Sequence, residues 1–201
     1  MQKRLKPLVF ILSLGPAGYL VYLGLTNNLG VNPAETLQLE TGTWALRFLL
    51  ATLALTPLRR ITGWNRVIQY RRMLGLFAFF YAFTHFLTYL VLDQYFAFGA
   101  MLADVAKRPF ITMGFIAFVL LIPLAVTSTK GWIRRLGRRW QSLHRLVYVS
   151  AIAASIHYLW KVKLVFGPPV YYAVAVALLL GFRVVWSLRS AKSVVAQRVK
   201  A

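Results

Sequence analysis

Residues 71–93 read RRMLGLFAFFYAFTHFLTYLVLD. Two arginines open a run from Met73 to Leu92 in which His85 is the one side chain that titrates near neutrality, and Asp93 closes it. Twenty residues of helix span about 30 Å, the thickness of a bilayer's hydrocarbon core. A soluble helix of that length needs a polar face, and this run has none. The segment therefore reads as a membrane span entered at its arginine end.

Working outward, five similar segments flank it. The expected spans are 8–25, 44–58, 73–92, 110–127, 143–160 and 169–186. The second can be extended by Asn32-Pro33-Ala34-Glu35, which reads as an N-cap, a proline at the first helical position and an acidic third residue. Pro16 and Pro123 fall inside spans and are expected to kink them. The chain is 59% hydrophobic and 14% charged, with mean hydropathy +0.63, too little charge to cover a soluble surface. The expected fold is a single all-α integral membrane domain over residues 1–201, a six-helix transmembrane bundle. The first span reads as an uncleaved signal anchor.

Charge placement fixes the orientation. With six spans, nineteen of the 24 basic residues fall on one side: Lys3, Arg4 and Lys6, the connection from Arg59 to Arg72, the connection from Lys130 to Arg145, and the end from Arg183 to Lys200. Lys107, Arg108, Lys161 and Lys163 fall opposite, together with all four acids, Glu35, Glu40, Asp93 and Asp104. Positive residues are retained on the cytoplasmic side, so both termini are expected there. The net charge of +20 is thereby a matter of topology, and nucleic acid is not the expected partner. Trp44 and Trp160 on the outer side, with Trp64, Trp132, Trp140 and Trp186 on the inner, sit where interfacial aromatic belts form.

The absence of cysteine removes iron–sulfur clusters, thiolate-ligated haem, c-type haem attachment and disulfides together. Imidazole remains as the axial ligand for a metal. Ionisable groups are costly in hydrocarbon, yet all three histidines lie in or at the edge of spans. His85 is thirteen residues beyond Arg72, and His157 thirteen beyond His144, so both sit about 20 Å from the inner boundary. Two histidines at matched depth on parallel helices can clamp one haem iron, in the outer half of the membrane. The bland alternative is a hydrogen-bonded core histidine on each span. His144 lies at the inner surface and admits several roles: a second haem with a non-histidine partner, a flavin or quinone contact, or an interfacial histidine without cofactor. Arg47, one turn from Trp44, either snorkels to the outer interface or pairs with a haem propionate.

Several stretches resemble the MsrQ (YedZ) family of haem-binding membrane subunits, within the ferric-reductase-like transmembrane domains. They are Arg71-Arg72-Met73-Leu74-Gly75-Leu76 leading to His85, Arg108-Pro109-Phe110, and Leu124-Ala125-Val126-Thr127-Ser128-Thr129. To these add Arg139 to His144, Ile156 to Trp160, Thr41-Gly42, 48–53 and Thr56-Pro57-Leu58. The resemblance covers roughly residues 7–190 and is most specific around His144 and His157.

It implies b-type haem, an associated flavin (FMN), and a place in the bacterial inner membrane. It also implies electron delivery to a periplasmic molybdopterin enzyme, MsrP, that reduces methionine sulfoxide in oxidised proteins. The quinone pool or a cytosolic flavin reductase would be the donor. On this footing His85 and His157 are the expected axial ligands, and His144, Arg71 and Arg72 are candidates to steady a flavin phosphate or haem propionate; positive-inside charge alone also accounts for the two arginines. The chain lacks the soluble nucleotide-binding domain of the related oxidases and has three of their four core histidines. It offers no nucleophile–base constellation, so sulfoxide reduction itself is expected on the partner. The alternatives are a quinol-linked cytochrome b serving another acceptor, and a non-redox transporter or membrane anchor.

Overall fold

The computed structural model describes residues 2–162 and 167–199; Lys163 and Lys200 of the charge pattern lie outside them. Among the described residues there is no strand. The helices are α1 (Gln2–Leu25), α2 (Pro33–Thr62), α3 (Arg71–Thr88), α4 (Phe98–Lys107), α5 (Pro109–Val126), α6 (Lys130–Leu136), α7 (Arg138–Leu143), α8 (Leu146–Lys161) and α9 (Pro168–Val199). A 3-10 turn, Asn65–Tyr70, leads into α3, and a π turn, Tyr89–Asp93, closes it.

Among the described residues, four helical stretches are long and apolar enough to cross a membrane: Leu5–Leu25, Asn65–Asp93, Pro109–Val126 and Pro168–Arg189. The expected segments 44–58 and 143–160 lie mainly on α2 and α8. The former is one part of a thirty-residue helix with charged ends, and α8 has sixteen residues. α8 starts later than the hydropathy suggested because the chain turns at His144 and Arg145, whose N–H groups bond the carbonyls of Trp140 and Ser142. The basic connection before it is no loop but the two short helices α6 and α7. Asn32 caps α2 as its sequence indicated, accepting a bond from the Glu35 N–H at 3.2 Å with Pro33 at the first turn. Gly63, at φ +70°, ends the helix in the left-handed conformation that glycine adopts without cost.

The principal packing is pairwise: α2 lies along α3, α5 along α8, and α8 also meets α9. Phe48, Leu53, Phe77, Tyr81, Leu121 and Ala151 form the centre of the core. The Phe48 and Tyr81 rings stack at 5.3 Å. Hydroxyls are buried as well, and several use a nearby carbonyl: Thr52 bonds Phe48 at 2.8 Å, and Ser150 on α8 bonds Ala117 on α5 at 2.9 Å. Large apolar residues face outward instead, Ile11 and Leu12 on α1 and Leu178 on α9 each more than 60% exposed. Apolar outside with hydroxyls inside suits a lipid solvent.

Two prolines leave openings in the backbone ladder, and distant side chains fill them. Next to Pro16, the Tyr81 hydroxyl inserts into α1, donating to the Ser13 carbonyl at 2.7 Å and accepting from the Ala17 N–H at 3.1 Å. In α2, Pro57 has no N–H for the Leu53 carbonyl one turn earlier. Arg183 of α9 donates to that carbonyl at 2.7 Å and to the Tyr148 hydroxyl at 2.9 Å. On the acid-bearing side, Gln38 bonds Asp93, while Asp104 accepts from Tyr89 and Gln94 and pairs with Arg108 at 3.3 Å. These contacts tie the ends of α2, α3, α4 and α5 into one rim.

Candidate functional site

His85 and His157 come from the two helix pairs and meet between them. His85, on α3, turns its Nδ1 to the Gln38 carbonyl of α2 at 2.9 Å. His157, on α8, turns its Nδ1 to the Phe110 carbonyl of α5 at 2.6 Å. A carbonyl can only accept, so in both rings Nδ1 carries the proton and Nε2 keeps a free lone pair. The ring centroids are 6.0 Å apart and the planes cross at 72°. With a metal–imidazole bond of about 2 Å, and about 1 Å from nitrogen to ring centre, two imidazoles on one metal lie about 6 Å apart.

Both rings line a cavity of about 800 Å³ that extends from Leu121 and Phe118 to the rim of Glu35, Asp93, Asp104, Arg108 and Lys161. Its walls are mainly apolar and aromatic, and the Phe86 and Phe118 rings stack at 4.9 Å along one side. Volume and lining are those of a cofactor pocket. Among the described residues no cluster of three or more His, Cys, Asp or Glu is placed to hold a bare ion. Two opposed imidazoles suit an iron whose remaining ligands come from a macrocycle.

His144 belongs to a separate place. It caps α7 rather than opening α8, its ring stacks on Trp140 at 3.8 Å, and its Nδ1 bonds the Trp140 carbonyl at 3.1 Å. Its Nε2 is buried without a hydrogen-bond partner. This ring borders a second cavity of about 240 Å³, shared with Arg71 and Arg72. The three inner residues singled out from the sequence are therefore neighbours. Arg47 joins neither cavity: it donates to the Tyr172 hydroxyl at 2.8 Å and lies over the Trp44 ring at 4.5 Å. These two contacts are those of a side chain at the interface.

Sequence reasoning missed the Gln38 and Phe110 carbonyls, the glycines Gly42 and Gly114 beside the histidines, and the cavity cations Arg108 and Lys161. One signal was present. Gly42 and Gly114 are separated by the same 72 positions as His85 and His157.

Comparison with known proteins identifies the family. Residues 41–155 match the family described as ferric reductase like transmembrane component. A protein of Herminiimonas arsenicoxydans named protein-methionine-sulfoxide reductase heme-binding subunit MsrQ is 54% identical, over 91% of this chain and 85% of its own length. The protein of the same name from Ralstonia nicotianae is 52% identical over 92% and 86%, and that from Xanthomonas euvesicatoria 47% over 96% and 91%. No solved structure matches the chain. With these identities along nearly its whole length, and with the matched region holding most of α2, all of α3 and α5, and most of α8, the chain belongs to the MsrQ family of ferric-reductase-like transmembrane proteins.

Proposed function

We propose that the chain is a transmembrane electron-transfer cytochrome of the b type in the bacterial inner membrane. It passes electrons from the quinone pool, or from a flavin or flavin reductase, to a periplasmic molybdopterin methionine sulfoxide reductase of the MsrP kind. One observation carries the reading: two imidazoles from different helix pairs, each proton-committed through Nδ1, line one cavity with ring centres at the spacing of a shared metal. The relatives' printed name supplies the ligand class and the system served.

His85 and His157 would hold haem b through their Nε2 atoms. The rim cations Arg108 and Lys161 are placed to receive its propionates. Bound there, haem supplies a one-electron ferric–ferrous couple. The backbone bonds at Nδ1 fix the ring tautomer and increase ligand basicity, while the aromatic walls keep the local dielectric low. At the inner cavity the free Nε2 of His144 and the charges of Arg71 and Arg72 suit a second redox partner: FMN phosphate, quinone oxygen or haem. α2 and α8 supply the fifth and sixth crossings in this reading. α2 is about 45 Å long, and α8 is about 24 Å before its flanking turns. Nineteen basic residues on one side put both termini in the cytoplasm.

The test uses protein purified in detergent, reduced chemically and freed of reductant. Addition of an MsrP-type reductase with methionine sulfoxide should reoxidise the haem, and omitting either should leave it reduced. Reoxidation by periplasmic extract lacking that reductase, at an undiminished rate, would assign the chain to another acceptor.

A further inference from the structure

The two histidines are held by one device used twice. His85 reaches past Gly42 to the carbonyl of Gln38, one helical turn before that glycine. His157 reaches past Gly114 to the carbonyl of Phe110, again one turn before. In both cases 47 residues separate the histidine from its carbonyl. Gln38 and Phe110, Gly42 and Gly114, and His85 and His157 are each 72 positions apart. The pairs α2–α3 and α5–α8 thus present equivalent histidines in equivalent cradles.

Glycine is needed at both places for close approach. A Cβ on Gly42 would lie 3.0 Å from Cε1 and Nδ1 of His85. On Gly114 it would lie 2.7 Å from Nδ1 and 2.9 Å from Cε1 of His157. Ordinary carbon contacts are about 3.5–4.0 Å. The Gln38 and Phe110 carbonyls also accept their helices' own N–H groups one turn later. The second lone pair takes the imidazole, and only a bare Cα lets the ring descend to it. By contrast, a Cβ on Gly181 of α9 would meet nothing within 4 Å.

We infer that Gly42 and Gly114 are positioning residues: with the Gln38 and Phe110 carbonyls they form a duplicated cradle that fixes tautomer and ring plane of both axial histidines. The inference rests on the haem reading above. Because each cradle holds its ring from its own helix pair, the planes are locked steeply crossed, at 72°. Nδ1–H donation makes each Nε2 more basic, which favours the ferric state. An alanine would push the ring off its carbonyl, freeing the plane and weakening the donation.

Electron paramagnetic resonance of the oxidised, haem-loaded wild type should give the strongly anisotropic low-spin signal of crossed imidazole planes. Gly114→Ala, with the closer contacts, should lose that anisotropy and raise the midpoint potential more than Gly42→Ala. A tenfold change in ferric-to-ferrous ratio appears as about 59 mV for one electron. Gly181→Ala should match the wild type. Haem loss from the two cradle variants at unchanged helicity, with Gly181→Ala still loaded, supports the cradle equally. A haem-loaded wild type with the signal of near-parallel planes overturns it, whether or not the variants accumulate. Cradle variants with wild-type spectrum and potential also overturn it. A wild type that takes up no haem instead refutes the underlying haem reading.

Discussion

At the scale of single residues, the three histidines separate by what their free nitrogen faces. His85 and His157 line the larger cavity with ring centres 6.0 Å apart, whereas His144 borders the smaller one. His85→Ala and His157→Ala should each abolish the bis-histidine Soret signature of purified protein. His144→Ala should leave it in place. Complete loss in all three would refute this division. Tyr81 serves the fold instead. It is 1% exposed and mends α1 beside Pro16 through two hydrogen bonds. Tyr81→Phe should cost about 1–3 kcal/mol, read as a lower temperature of helicity loss in detergent. The histidine pairing was legible because depth along a span follows from residue count alone. Tyr81 was not, since nothing local to it says which helix its hydroxyl will reach, 68 positions away.

Among the elements, boundaries divide by whether their cause is local. The start of α2 could be read from Asn32-Pro33-Ala34-Glu35 because a cap is made by adjacent residues. The delayed start of α8 could not, for apolarity continues across the turn at His144 and only the turn's hydrogen bonds break the helix. The short helices α4, α6 and α7 were likewise hidden, being too short for a hydropathy window. Pro57 shows the same contrast. Proline lacks an N–H wherever it stands, but the compensating partner, Arg183, comes from α9, 130 positions away. Arg183→Met should orphan the Leu53 carbonyl and cost about 1–3 kcal/mol. Pairing it with Pro57→Ala restores the ladder donor and should recover part of that loss. Thermal melts of the single and double variants measure this directly, and a purely additive pair would argue against the link.

On the scale of the whole molecule, charge and site fall into a common frame. The acid-bearing rim, the larger cavity and the opposed histidines occupy one end, and the basic helices α6 and α7 with His144 the other. The native absence of cysteine makes this polarity simple to test, because any introduced cysteine is unique. Lys107→Cys should react with a membrane-impermeant maleimide added to intact spheroplasts, and Arg135→Cys only after the membrane is opened. The reverse pattern would invert the orientation. The composition revealed the membrane class, since it follows from an average over many residues, and the loop charges set the polarity that the cysteine pair tests. The cradle and the cavity depend on contacts between helix pairs and emerged only with the fold. The account stands or falls on one ligand held between His85 and His157, and the direct measurement is a pyridine haemochrome assay on wild type expressed with ample haem, set beside His85→Ala and His157→Ala. Wild type should contain b-type haem and each variant should lose it; a wild type without haem, or a haem content untouched by both substitutions, would contradict a ligand held between the two histidines.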